Sequence, residues 1–326
     1  ARKLDVAIMQ PNIDPYHKFQ ALTQDEQNAI LQGQMESVLK NRNAGDTGML
    51  LILAPETFTG GVVTNDVGRS RTYRRFRSYL SDYQDVNLLF GASAYSYLFS
   101  GNAPSATARN VGEGQWVESH NSALIIDGKD NAEIYHKSKL VVGVEMTPYP
   151  AFFCKIDNLL GGVMGRCIGQ EKVSLLHCVA SDSTGHITKS VPLGCAICYE
   201  SVYPEHCAEY ARAGAEALVV ITNDAWWGDT PGYRQHLRYS SLRAIETRRD
   251  IARSANTGIS AFINQRGDIV SHTAWWEPAV LTGSVNLNDS ETFFVRQGDI
   301  IGRMCAFFSI LLLLGVVVRA RITRQE

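Results

Sequence analysis

Ala217-Leu-Val-Val-Ile-Thr222 is an unbroken apolar run with the length of one strand, and such a run is stable only where both faces of its sheet are covered. Met49 to Ala54 repeats the pattern, and Leu4 to Met9 supplies a strand near the start. Helical stretches lie between such runs. Thr23-Gln-Asp-Glu26 is a capping box for a helix reaching about Lys40, Arg71 to Tyr83 has helical character, Tyr203 to Gly214 ends on a glycine stop, and Tyr233 to Asp250 is long. Val86 to Tyr95, Ser119 to Asp127, Ala132 to Val141 and Val280 to Leu287 read as further strands. Gly258 to Asn264 and Asp268 to His272 form a hairpin through Gln265-Arg-Gly267. Gly101 to Gly114 reads as a loop, and the Gly-rich stretch Asp157 to Ser190 as an irregular surface excursion. Strands and helices alternating without a solenoid repeat predict an α/β layered domain.

What stands at the strand ends carries the chemistry. Pro192 to Cys198 is an apolar strand ending in a thiol, with a helical pattern a few residues on, so Cys198 lies at a strand-to-helix turn. A helix N-terminus there offers N–H groups to a thiolate or an oxyanion. On position alone, a buried cysteine acting as a small hydrophobe is the plainer reading. Pairing with Cys195 is disfavoured, because residues three apart in a strand face opposite ways. Met49 to Ala54 ends in Pro55-Glu56-Thr57, and Ala132 to Val141 brings Lys137 into apolar surroundings; alternation puts Lys137 and Lys139 on one face without choosing between them. An exposed loop carboxylate is the plain reading of Glu56.

The 326 residues are 45% hydrophobic, enough for a large core in one or two domains. A net charge of -2 argues against nucleic acid as the main partner. Seven cysteines form no zinc-ribbon array, and His177 and His186 are too irregularly placed for a metal site. Cys154, Cys167 and Cys178 are near enough in sequence to include a disulfide in an oxidising compartment. The chain begins at Ala1 and reads as a fragment or processed product.

Met304 to Val318 contains no charge, and Ile300 to Gly302 extend it towards the roughly 30 Å hydrocarbon core, with Arg303 able to snorkel. A buried core helix is the competing reading. Arg319, Arg321 and Arg324 follow without acids, a pattern that stays cytoplasmic and puts the preceding domain outside. The division expected is residues 1–298 as the catalytic domain, 299–319 as the membrane helix and 320–326 as a basic tail. The arginines at 71, 74, 75 and 77 read as a solvated face. Trp226 is expected in the core, and Trp227, Trp275 and Trp276 at a bilayer interface.

Carboxylate, ammonium and thiol are together the parts of an acyl-transfer site. Their order, with Ala54-Pro-Glu-Thr57, Tyr135-His-Lys137, Cys198-Tyr-Glu-Ser-Val-Tyr-Pro-Glu205, Asn223-Asp-Ala-Trp-Trp-Gly228 and Ser254-Ala-Asn-Thr-Gly258, resembles the nitrilase superfamily. Within it, the pattern is most similar to the bacterial apolipoprotein N-acyltransferases, through the apolar terminal helix that soluble nitrilases lack. The resemblance implies a four-layer αββα sandwich with Glu56 as general base, Lys137 as electrostatic stabiliser and Cys198 as the acylated nucleophile. It implies supporting roles for Glu145, which orients lysine and base, and for Tyr199 and Glu200 beside the nucleophile. It also implies a phospholipid acyl donor, a diacylglyceryl-cysteine lipoprotein acceptor, an inner-membrane setting with the domain on the periplasmic side, and no cofactor or metal. Two departures fall in loops that position lipid: Val142-Gly143-Val144 replaces Pro-Phe-Gly, and Phe19 stands where the family has tryptophan. The competing functions are an amidase or carbamoylase acting on small amides, and a silent membrane-tethered scaffold.

Overall fold

The computed structural model describes residues 2–14, 22–40, 42, 48–159, 165–182 and 184–323; Phe19 and Arg324 lie outside them. In chain order the elements are β1 (Lys3–Gln10), α1 (Gln24–Leu39), β2 (Leu50–Leu53), β3 (Thr59–Val63), α2 (Arg71–Leu80), β4 (Val86–Phe99), β5 (Arg109–Gly112), β6 (Gln115–Asp127) and β7 (Ala132–His136). Then come α3 (Pro150–Leu159), β8 (Leu176–Ser181), β9 (Ile187–Ile197), α4 (Pro204–Arg212), β10 (Ala217–Thr222) and α5 (Gly232–Thr247). The last are β11 (Ile251–Ala255), β12 (Ala261–Ile263), β13 (Ile269–His272), β14 (Ala279–Asn286), α6 (Phe293–Gln297) and α7 (Ile300–Thr323).

One sheet runs β14-β1-β2-β4-β6-β5, with β3 beside β4 and β7 beside β6; the other runs β13-β12-β11-β10-β9-β8. The apolar strands obey the period of two. Val6, Ile8, Leu51, Leu53 and Leu89 face the second sheet in one core with Leu193, Leu218 and Val220. Their neighbours Ala7, Met9, Leu50, Ile52 and Leu88 point the other way, onto Leu31 and Met35 of α1 and Phe76 of α2. Helices α4 and α5 cover the second sheet through Tyr210, Leu237 and Ala244. The four-layer αββα arrangement follows directly, because strands apolar on both faces need cover on both. Thr23 caps α1 through the expected box.

Several sequence expectations are corrected. The strand from Ala132 stops at His136 rather than Val141, and the supposed excursion from Asp157 contains β8, an antiparallel partner of β9 from Leu176↔Leu193 to Ser181↔Ile187. The loop from Gly101 contains β5, and β4 and β6 pair as far as Phe99↔Gln115. Helix α2 stops at Leu80, and α4 begins at Pro204 after a 3-10 turn over Cys198–Val202. All seven cysteines are free, so Cys154, Cys167 and Cys178 form no disulfide. Trp226 is 65% exposed, not core: a second 3-10 turn, Asp224–Trp227, follows β10 and leaves its ring in the open.

Helix α7 is long and apolar enough to cross a membrane, with mean hydropathy 2.4, and none of its apolar window is buried against the sandwich. The core-helix reading therefore fails. At its base the Asp299 N–H donates to Glu205 in the first turn of α4 (2.9 Å), and Val295 of α6 packs with Ala208 and Ala211.

Candidate functional site

Four loops at the ends of the strands of both sheets meet at one place, beside Asn121 of β6. After β2 the chain turns at Pro55, whose carbonyl accepts from Gly91 N–H (3.0 Å), and Thr57 takes φ 46°. Gly91 is needed there, since a Cβ on it would lie 2.4 Å from Thr57 N and 2.5 Å from Glu56 Cα. The Glu56 carboxylate is thereby driven into the junction between the sheets, 7% exposed. Its Oε2 accepts from Asn223 N–H beyond β10 (3.1 Å), and its Oε1 from Asn121 Nδ2 (2.8 Å) and Lys137 Nζ (3.2 Å).

Lys137 is the first residue past β7, its N–H donating to Asn121 O (2.8 Å) and its side chain 1% exposed, while Lys139 is exposed. Its ammonium bridges Glu56 and Glu145 (2.8 Å). Burial alone would lower it, but the charges of Glu56 and Glu145 outweigh that and raise the lysine above its ordinary value. Glu145 is held in turn by Val141 N–H (2.8 Å) and Asn121 Nδ2 (2.7 Å).

Cys198 opens the 3-10 turn after β9 with φ 52°, a left-handed conformation that costs on the order of 1–3 kcal/mol for a residue with a side chain. The residue is half-buried. Burial and the Glu56 charge push its thiol well above the ordinary value, against the opposing pull of Lys137. Its surroundings thus favour the neutral thiol, and only a base beside it would release the thiolate.

Glu200 ties the two halves together. Its Oε2 accepts from Ile197 N–H (2.8 Å), and its Oε1 from Ser138 N–H (2.6 Å), Lys139 N–H (3.1 Å) and the Tyr135 hydroxyl (2.7 Å). One fully buried carboxylate thus fixes the strand carrying Cys198 to the loop carrying Lys137. Tyr199 points outward, 37% exposed, its ring edge-on to Tyr203 at 5.4 Å between centroids.

All six residues singled out from the sequence stand in or beside this junction. Asn121 was missed, although a single amide of β6 reaches both glutamates; its signal was a polar residue at the head of the apolar run Ala123-Leu-Ile-Ile126. Beyond the glutamates, a cavity of about 180 Å³ is lined by Thr57, His120, Glu145 and Cys167. The Cys167 thiol is pushed up to about 11 by burial and by Glu145.

The layered fold and this junction define a protein of nitrilase type. The chain belongs to the carbon-nitrogen hydrolase family, whose pattern matches residues 5–293. Among solved structures it is similar to a Nesterenkonia AN1 amidase from the nitrilase superfamily (16% identity, TM-score 0.56, 92% of this chain and 96% of that one). It is also similar to a Saccharomyces cerevisiae member of branch 10 of that superfamily (14%, TM-score 0.57, 88% and 91%). At such identities the likeness speaks for the fold. Among curated proteins it is similar to the apolipoprotein N-acyltransferase of Chlorobaculum tepidum (30% identity, 98% of this chain, 58% of that one). The Thermotoga maritima apolipoprotein N-acyltransferase is likewise 30% identical over 62% of this chain and 37% of its own length. The chain thus spans little more than half, or less, of these relatives.

Proposed function

We propose that this chain is the catalytic part of an apolipoprotein N-acyltransferase. Glu56 takes the Cys198 proton, and the sulfur attacks the ester carbonyl of a phospholipid. The C–O bond breaks, a lysophospholipid leaves with a proton returned from Glu56, and the acyl group remains as a thioester. The ammonium of Lys137 stabilises the tetrahedral oxyanion. The α-amine of a diacylglyceryl-cysteine at a lipoprotein N-terminus then attacks the thioester carbon, forming the amide and restoring the thiol. Glu145, Tyr199 and Glu200 act in support. The domain division at 298/299 and 319/320 belongs to the same reading, with α7 in the inner membrane and the sandwich on the periplasmic side.

The observation that carries it is a buried Glu56–Lys137 ion pair in a carbon-nitrogen hydrolase sandwich that also carries a long apolar helix, none of whose apolar window the sandwich covers. Full-length protein given phospholipid without acceptor should accumulate a hydroxylamine-sensitive adduct on Cys198, read by mass spectrometry. Adding a diacylglyceryl-cysteine peptide should discharge it as N-acylated peptide. Cys198→Ser should hold little adduct and Cys195→Ser should behave as wild type. Free fatty acid released without acceptor would point to a hydrolase, and no adduct under any condition would exclude turnover.

A further inference from the structure

The left-handed turn at Cys198 is held by groups to which the scheme above gives no task. The Cys198 carbonyl oxygen accepts from the Ser201 hydroxyl (2.8 Å) and lies 3.0 Å from His236 Nε2. Nε2 also lies 3.0 Å from the Ser201 hydroxyl; a carbonyl only accepts, so His236 holds the Cys198 oxygen when Nε2 carries a hydrogen. The other ring nitrogen, Nδ1, is 2.8 Å from Asp224 Oδ1. Asp224 accepts in turn from the Thr222 hydroxyl on Oδ1 (2.9 Å) and from the Arg253 guanidinium on Oδ2 (2.8 Å), and Arg253 also reaches Ser240 Oγ (3.3 Å).

Three elements supply this chain: Asp224 from the turn after β10, His236 from α5, and Arg253 from β11. The three side chains are 0–4% exposed. A Cβ on Gly258 would lie 2.4 Å from Asp224 Oδ2, so backbone closes directly over the carboxylate. Burial raises the Asp224 carboxyl, yet Arg253 and His236 outweigh it and leave the group well below the usual carboxylate range.

Buried charge clusters stabilise a fold poorly compared with apolar side chains of the same volume. Packing therefore gives no reason for three charged or titratable residues here. Their point of convergence does, because the chain ends on a backbone atom of the nucleophile itself. We propose that Arg253–Asp224–His236 is a positioning chain: it grips the Cys198 carbonyl, holds the residue in its left-handed conformation and keeps the sulfur on the side of Glu56 and Lys137. The inference rests on the reading of Cys198 as the acylated nucleophile.

Two conservative variants separate this from a packing role. The amide nitrogen of glutamine falls near the Nε2 position of histidine and can donate to the Cys198 carbonyl. That of asparagine falls near Nδ1, keeping Asp224 within reach but not the carbonyl. The measurement is the p-nitrophenolate burst of full-length protein in detergent given p-nitrophenyl butyrate. The sulfur–acyl bond forms, the ester C–O bond breaks, and the thiol proton passes to Glu56. His236→Gln should acylate within about threefold of wild type, and His236→Asn and His236→Ala about 10- to 100-fold more slowly at little-changed KM, as expected for a misdirected nucleophile. Should His236→Ala fail to fold, as judged by its melting curve, the Gln and Asn variants decide alone. An asparagine variant as fast as wild type, or a glutamine variant no faster than the asparagine one, overturns the positioning role. A burst that survives Cys198→Ala overturns the nucleophile assignment instead.

Discussion

Lys137 sits between two carboxylates, and their charges favour its protonated state. The groups that raise it are the same ones it serves, since Glu56 and Glu145 both take a hydrogen bond from Nζ. Lys137→Ala should lower the acylation rate by about 10²–10³-fold, the scale of a lost oxyanion stabiliser. It should also destabilise the fold by about 3–5 kcal/mol, because the buried Glu56 and the partly buried Glu145 are left without their cation. Lys139→Ala should do neither, as that side chain is exposed. Burst kinetics and urea unfolding of the two variants check this, and the reverse ranking would mean the wrong lysine had been assigned. The sequence singles out Lys137 through Tyr135-His-Lys137, whereas alternation has no strand to act on past His136. Asn121 and Arg253 stayed hidden for a related reason. Each is a polar residue at the end of, or within, an apolar strand, and only the fold shows that three distant segments converge on it.

At the scale of elements, the site is a matter of how closely strands pass. β4 runs under the Glu56 turn at Gly91 with no room for a methyl group. Gly91→Ala should cost about 1–3 kcal/mol as overpacking. It should also slow acylation by roughly 100-fold, more than lost stability accounts for, because the contacts are with backbone that carries the base. Gly60→Ala in β3, where a Cβ meets nothing within 4 Å, is the matched control. Equal rates for the two variants would show that the base tolerates displacement. Elements with uniform apolar runs were legible almost to the residue: Ala217–Thr222 is β10 as read, and Leu4 to Met9 lies within β1. β8 was not, because His177 interrupts its apolar residues and its partner, Ile187 to Leu193 of β9, is polar over Thr188 to Ser190. Trp226 was misplaced because a tryptophan after a buried strand reads as core, and nothing local announces a 3-10 turn.

At the scale of the molecule, α7 is the one helix among the described residues long and apolar enough to cross a membrane, and its apolar window has no cover. Truncation after Gln297 keeps α6 and its packing on α4 while removing the helix, so the shortened protein should stay in solution without detergent. Sedimentation with vesicles checks this; equal partitioning of truncated and intact chains would remove the membrane assignment.

The sandwich also closes on itself end to end. β1, an interior strand of its sheet, pairs with β14 from Lys3↔Asn286 to Gln10↔Ala279, and Glu56 takes its N–H from a residue 167 positions later. Contacts of such long range form late, since loop closure precedes their reward. A nascent chain lacking its final strand has neither a completed first sheet nor the full register between sheets that surrounds Cys198. Glu56, Lys137 and Cys198 all precede β14 in the chain, so the sheet that carries Glu56 is completed only by a strand made after every one of them.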